Sequence, residues 1–311
     1  MPTLLLSHPD CLLHLTPPGH PEQVARLSAV QAALNAPEFA ALLRAEAPPA
    51  ADAQILRAHP EAYLRQIRAA VPDDGFRALD ADTQLSPGSL DAALSAAGAN
   101  VAAVDAVLGG RAGNAFCATR PPGHHAETAT AMGFCLFGNV VIGARHALDA
   151  HGLERVAIVD FDVHHGNGTQ DLVWDDPRIF FASTHQSPLY PGTGGAHETG
   201  AHGNVLNLPL PPGTDGAAVR RVGEARVLPA GAAHRPQMVF ISAGFDAHEL
   251  DPLANLRLHE DDFAWATGAI CDLADTHASG RVVSTLEGGY DLDALAASTA
   301  AHVRTLMERA P

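Results

Sequence analysis

The sequence predicts an α/β fold, a parallel sheet covered by helices on both faces. Three observations carry this. Short β-rich runs alternate with longer helical patterns along the whole chain. Several of the runs, such as Val156-Ala157-Ile158-Val159, are continuously apolar, which suits strands buried on both faces. The unusual polar clusters fall just past strand ends, where open α/β sheets hold their ligands.

In chain order, strands are expected at Thr3–Ser7, Ala115–Ala118, Arg155–Asp160, Ile179–Ser183, Met238–Ser242 and Arg281–Leu286. Helices are expected at 21–34, 60–70, 89–108, 138–150, 215–233, 260–278 and 291–308. His124 and His125 follow the 115–118 strand, and the run Asp160 to His165 follows the 155–160 strand. Asp246 follows the 238–242 strand, and Glu287-Gly288-Gly289-Tyr290 follows the 281–286 strand. Four strand ends, far apart in sequence, would converge on one crevice and make a single active site. No repeat, charge block or linker interrupts the pattern, so residues 1–311 are expected to form one domain.

With 47% apolar residues the chain can bury a large core. Its formal net charge is -16, from 19 Lys plus Arg against 35 Asp plus Glu. Such a chain is a poor phosphate-backbone binder, so no nucleic-acid partner is expected. It would attract cationic partners such as polyamines or Lys-rich peptides, although taken alone the acidity is better read as an aid to solubility. Cys11, Cys117, Cys135 and Cys271 are scattered with no CxxC pair, which argues against a cysteine zinc site and a disulfide framework. Met1 to Leu6 has no basic region before its apolar run and reads as a strand, not a signal peptide. No membrane span is expected: the closest stretch, 92–108, is interrupted by Asn100 and Asp105. These features together imply a cytoplasmic protein.

The strongest local signal is Asp160-Phe161-Asp162-Val163-His164-His165-Gly166-Asn167-Gly168. Strand alternation would point Asp160, Asp162 and His164 to one side. Unpaired, such groups repel one another, and a divalent cation resolves the problem. Asp246, in Ser242-Ala243-Gly244-Phe245-Asp246, adds a carboxylate from another strand end. Two carboxylates and one imidazole leave an open position for water, the pattern of catalytic zinc, though iron(II) suits the same donors. An isolated Asp-x-Asp-x-His is as easily a hydrogen-bonded turn; the other clusters tip the balance.

Arg120-Pro121-Pro122-Gly123-His124-His125-Ala126 is a rigid turn ending in paired histidines. Adjacent imidazoles near a cation titrate as a coupled pair, so one can stay neutral as a base while a carboxylate holds the other. Glu287-Gly288-Gly289-Tyr290 places a phenol after two glycines. The glycines allow close backbone approach, and a phenol can donate to a forming oxyanion.

With these clusters in place, the chain resembles the histone deacetylase and acetylpolyamine amidohydrolase superfamily, from Gly19-His20-Pro21-Glu22 through Glu287-Gly288-Gly289-Tyr290. Arg120 to Glu127, Asp162 to Gln170 and Ala243 to Ala247 are most similar to the class II branch and its bacterial relatives. The resemblance implies an arginase-like α/β fold with a mostly parallel sheet of about eight strands, within the usual range for open sheets. It implies zinc on Asp162, His164 and Asp246, tandem catalytic histidines at His124 and His125, and a carbonyl-polarising Tyr290. Asp160 matches the carboxylate that orients His124, and Asn167 the partner behind His125, where class I relatives have Asp. Phe134 and Tyr190 match the two aromatic walls of an acyl-lysine tunnel that Gly133 also lines. Asp82 matches a rim position that binds the substrate backbone, and Arg26 an arginine in the product-exit region. The family's potassium would lie on Asp160, Asp162, His164, Ser183 and the backbone at Thr184.

The activity implied is zinc-dependent hydrolysis of the acetyl amide of acetyl-lysine in proteins or peptides. Acetylated polyamines are the alternative substrates. Leu253 stands where one polyamine-selective subgroup has Glu, which argues mildly against strict polyamine preference. A dinuclear manganese ureohydrolase would need a second ligand set. A non-catalytic acyl-lysine reader would not need Tyr290.

Overall fold

In the computed structural model, which describes residues 1–310, the described residues form ten strands. They are β1 (Thr3–Ser7), β2 (Leu43–Glu46), β3 (Arg77–Ala78), β4 (Gln84–Leu85), β5 (Asn114–Cys117), β6 (Val156–Asp160), β7 (Ile179–Gln186), β8 (Val205–Leu210), β9 (Val239–Ala243) and β10 (Val282–Leu286). Eight of them make one sheet in the order β2-β1-β5-β10-β9-β6-β7-β8. Every neighbouring pair in it is parallel. β3 and β4 pair antiparallel as a separate ribbon.

Alternation along the strands fills a core on each face. Leu4, Leu6, Ala115, Ile158, Phe181, Phe240 and Val283 face one side, against helices Glu61–Ala70, Ser89–Leu108 and Asn139–Asp149. Leu5, Phe116, Ala157, Val159, Phe180 and Ile241 face the other, against helices Val24–Leu34, Glu260–His277 and Leu292–Glu308. Burial on both faces explains why these strands read as continuous apolar runs. Each fully buried Phe or Leu contributes about 1.5–3 kcal/mol.

Helix Ser89–Leu108 is long and apolar enough, by length and composition, to cross a bilayer, which corrects the expectation that no stretch reaches that measure. It lies in the core instead. Of its two polar interruptions, Asn100 is buried and its Oδ1 accepts from the Thr285 hydroxyl at 2.6 Å, while Asp105 is half-exposed and its Oδ1 accepts from His146 and His151 at 2.7 Å each.

Four strands lie outside those expected from the sequence: the two-residue β3 and β4 of the separate ribbon, and β2 and β8, which are the two edges of the main sheet. β2 is Leu-Arg-Ala-Glu, exposed at every position, with no apolar run to reveal it. β8 contains Pro209, which cannot donate to a ladder and so marks an edge strand. The single helix expected over 215–233 is three pieces, Gly216–Val222, a π-helical turn Gly223–Val227, and Leu228–His234. Pro229 explains the break, because its ring clashes with the preceding turn and it has no N–H to donate. A short helix, Asn167–Val173, was not anticipated.

Candidate active site

β5, β10, β9 and β6 are adjacent at the centre of the sheet. Their carboxyl ends deliver, in that order, the histidine pair, Glu287 to Tyr290, Asp246, and the run from Asp160 to His165. The four clusters therefore meet because their strands are neighbours.

β6 ends at Asp160, so strand alternation does not carry past that residue. Side-chain bonds hold the next turns instead. The Asp162 N–H donates to Asp160 Oδ1 at 3.0 Å, and the His164 N–H donates to Asp162 Oδ1 at 2.9 Å. His164 Nδ1 lies 3.2 Å from Asp162 Oδ1 and 3.0 Å from Asp246 Oδ2. Asp162, His164 and Asp246 are all buried, and one ligand atom from each lies within 4.8 Å of the others. Glycines let the backbone close around them: a Cβ on Gly244 would sit 2.0 Å from Asp162 Oδ2, and one on Gly288 would sit 2.1 Å from Asp246 Oδ2.

This donor set fits a divalent cation. Burial and the neighbouring charge of Asp162 push the Asp246 carboxyl up to about 7. Burial works to raise Asp162 too, but His124 and His164 outweigh it and hold that carboxyl below the usual range. Two buried carboxylates with one imidazole form an oxygen-rich, partly open cradle that a cation would neutralise. Two other groups bring ligand types together, Asp105/His146/His151 and His248/His259/Glu260. There Arg57 donates to His146 Nδ1 at 3.0 Å and the Leu250 N–H donates to His248 Nδ1 at 3.2 Å, which leaves the proton on each Nε2. His164 Nδ1 faces only carboxylate oxygens.

The two histidine rings are 4.0 Å apart. His124 Nδ1 donates to Asp160 Oδ2 at 3.1 Å, and His125 Nδ1 lies 2.7 Å from Asn167 Oδ1. Burial opposes charge on both rings. At His124 the carboxylates of Asp162 and Asp160 overcome it and hold the ring well above the ordinary histidine value. At His125, burial together with His124 and His164 pushes it well below. The two rings are thus biased in opposite directions, His124 toward the charged form and His125 toward the neutral one.

A pocket of about 230 Å³ opens on this cluster, lined by Asp82, His125, Gly133, Phe134, His164, Leu189, Tyr190, Leu253 and Tyr290. Gly133 has φ of +55°, and a Cβ there would meet the His125 ring at 2.4 Å. Phe134 also holds a positive φ, +69°, which is strained for a side-chain-bearing residue. Its N–H donates to the Thr83 hydroxyl at 3.1 Å, and its ring meets Tyr290 edge-on at 5.9 Å. Tyr190 stands edge-on to His125 at 5.2 Å.

Arg26 does not line the pocket. It is fully buried, 4.9 Å from the Tyr290 ring centre, and donates to the carbonyls of Gly289 and Glu287. Ser183 pairs in register with Asp160, and its hydroxyl is 2.9 Å from His185 Nδ1. Thr184 lines an apolar groove with Val159 and Phe161.

Three further buried carboxylates, Glu22, Asp251 and Glu287, support the site, and no motif spacing assigns them a role. Glu287 accepts from the Gly123 and His124 N–H groups at 2.7 and 3.2 Å and so holds the backbone of the histidine pair. Asp251 accepts from the Tyr290 N–H at 2.7 Å. Glu22 pairs with both Arg26 and Arg120. The available signal was an acidic residue in a segment otherwise suited to burial.

The sequence matches the histone deacetylase domain family over residues 20–306. It is 45% identical over 302 residues to an uncharacterised protein of Synechocystis sp., covering 96% of this chain and 97% of the relative. It is 42% identical over 277 residues to the histone deacetylase-like amidohydrolase of Pseudomonas aeruginosa, covering 88% of this chain and 73% of that protein. The fold superposes on the crystal structure of the HDA15 HD domain with a TM-score of 0.93 at 31% identity, covering 99% of this chain and 88% of the other. The sheet is the arginase-like arrangement that the resemblance implied. Motifs, fold and relatives agree, and the chain belongs to the histone deacetylase family.

Proposed function

We propose that this chain is a zinc-dependent deacetylase that hydrolyses the acetyl amide of acetyl-lysine in proteins or peptides. The observation that carries the reading is the pocket. Its walls include two aromatic rings and glycine backbone, and it reaches His125, His164 and Tyr290 beside the buried acidic set. Such walls favour a thin, uncharged acyl chain and exclude water around it.

Asp162, His164 and Asp246 would hold the zinc, or iron(II), which when present polarises the amide carbonyl and lowers the pKa of the attacking water. His125, neutral and anchored through Nδ1, takes the proton from that water. His124, held charged by Asp160, stabilises the negative charge that develops beside it. A protonated histidine of the pair then supplies a proton to the leaving amine. Tyr290 donates its O–H to the substrate oxygen as charge grows there. Phe134, Tyr190 and Gly133 form the walls, and Asp82 accepts a substrate backbone N–H at the rim. A potassium ion beside Asp160, Asp162, His164, Ser183 and the Thr184 backbone would brace the end of β6. Arg26 supports Tyr290 from behind.

The whole chain acts as one catalytic domain in this reading, because β10, from near its end, lies between β5 and β9. The four cysteines are free and buried, which fits a reducing compartment such as the cytoplasm.

The same chemistry would serve acetylated polyamines. Leu253 lines the pocket and offers no carboxylate to a distal ammonium, so peptides are favoured. The test is the rate on an acetyl-lysine peptide against that on N-acetylputrescine, repeated with Asp82→Ala. The substitution should weaken peptide turnover by about 1–3 kcal/mol, the scale of a charge-assisted hydrogen bond, and spare the polyamine. Faster turnover of N-acetylputrescine would move the assignment to polyamines. No hydrolysis of either would sink it.

A further inference from the structure

We infer that Glu127 is a positioning residue for the catalytic base: through Asn167 it selects the tautomer of His125 whose pocket-side nitrogen is free to accept a proton. The use made of that nitrogen rests on the deacetylase reading. The tautomer itself follows from hydrogen-bond chemistry.

Asn167 Oδ1 lies 2.7 Å from His125 Nδ1. The amide nitrogen of Asn167 lies 2.8 Å from Glu127 Oε1 and 3.3 Å from Met132 Sδ. An amide has nearly the same shape when turned over, so its neighbours decide which end points where. A carboxylate and a thioether only accept hydrogen bonds. The amide nitrogen must therefore face Glu127 and Met132, and the amide oxygen must face His125. That oxygen also only accepts, so the ring proton sits on His125 Nδ1. In neutral imidazole, Nε2 then carries the lone pair. Nε2 lies across the ring from Asn167, and His125 lines the pocket.

Turning the amide over would reverse each of these assignments. Its NH₂ would point at Nδ1, the proton would move to Nε2, and the ring could no longer act as a base. Glu127 opposes that turn because it would bring the amide oxygen against a carboxylate. The arrangement is tied down at further points. Helix Asn167–Val173 begins with Asn167 and carries Asp171, whose Oδ2 accepts from the Thr128 N–H at 2.8 Å and the Thr128 hydroxyl at 2.7 Å. Thr128 is the next residue after Glu127. The Thr169 N–H donates to the His124 carbonyl at 3.0 Å.

The two histidines are thus oriented by different means. His124 has a carboxylate directly behind it, which favours the charged ring. His125 has a neutral amide behind it, with the carboxylate one hydrogen bond further out. This keeps orientation while withholding the adjacent charge that would draw a second proton onto the pair.

The test is a series at Glu127 read by kcat and by nitrogen-15 NMR of histidine-labelled enzyme, with the His125 signals identified by their absence in His125→Ala. Glu127→Gln keeps an acceptor and should keep most activity and the Nδ1–H tautomer. Glu127→Lys presents only donors. It should turn the amide, shift His125 toward the Nε2–H form, and lower kcat at least about tenfold with KM little changed, the direction expected when a positioned base is lost. In an Asn167→Asp background the residue behind His125 accepts from either oxygen, so Glu127→Lys should no longer cause that loss. Loss of equal size in both backgrounds, or an unchanged tautomer in Glu127→Lys, overturns the inference. A tautomer shift in an enzyme that hydrolyses no acetyl amide would leave the inference standing and overturn the functional reading instead.

Discussion

Glu22 and Arg120 meet in a two-point pair with both side chains fully buried: Arg120 Nε donates to Oε1 at 2.5 Å and an Nη donates to Oε2 at 2.7 Å. Arg26 adds a third bond to Oε1 at 3.0 Å. Glu22 therefore joins the arginine that opens the histidine turn to the arginine beneath Tyr290. Burial alone would raise the Glu22 carboxyl, but Arg120 and Arg26 outweigh it and push it down to about 2. A depressed carboxyl stabilises the fold above its unfolded value, about 4.3, and that contribution is lost as pH falls through the folded value. Glu22→Gln should cost about 3–5 kcal/mol at pH 7, the usual cost of breaking a buried pair. The gap from wild type should narrow between about pH 4.5 and pH 2. Denaturant melts at several pH values check this; a gap independent of pH would contradict it.

Gly133→Ala should damage the base more than the fold. The added methyl would sit 2.4 Å from the His125 ring, at a backbone φ of +55°. Relief requires the ring to move and stretch its bond to Asn167. We expect kcat to fall about 10²-fold, as small misplacements of catalytic groups do, with a stability loss of about 1–3 kcal/mol from backbone strain. An alanine variant within twofold of wild-type kcat would show that the close approach is unimportant.

Metal analysis should find one tightly held divalent cation per chain. His164→Ala should lose it, and chelation should abolish activity. His151→Ala should retain it, because the Asp105, His146 and His151 group is closed by Arg57. Two tightly bound transition metals per chain would favour a dinuclear hydrolase, and full activity without metal would remove the cation from the mechanism.

Tyr290→Phe should lower kcat by about 10²–10³ with little change in KM, the signature of losing one oxyanion donor. The Tyr290 N–H bond to Asp251 and the packing of the ring on Arg26 do not need the hydroxyl. Folding and metal content should therefore survive. Near-full kcat with normal metal content would return this residue to a purely structural place.

The central architecture was legible because doubly buried strands must be continuously apolar, and Val156 to Val159 shows that plainly. The edges were not: β2 is held by its neighbour's backbone and its side chains report only solvent. The acidic set was readable as Asp162, His164 and Asp246 because few other arrangements keep such residues close and buried. Its geometry was not readable by period. The turns past β6 are set by Asp160 and Asp162 bonding to the backbone two residues ahead. Glu127 and Glu287 escaped notice because each acts on a histidine through an amide group, Asn167 or the main chain, and spacing carries no trace of that.

Asn114 opens β5, and its neighbours in register are Thr3 on one side and Val282 on the other. Its side chain also donates to the Leu306 carbonyl at 2.7 Å, and the adjacent Gly113 N–H donates to the Pro2 carbonyl at 3.0 Å. The first strand and the last helix are thereby brought together at the end of the sheet opposite the pocket. A peptide bridging those two elements would span little distance, so they could be joined directly in a circularly permuted version of the fold. New ends could then be opened at the exposed turn around His151 and Gly152, between the Asn139–Asp149 helix and β6, again on the side away from substrate. A reporter or affinity handle joined there would ride on the back of the enzyme.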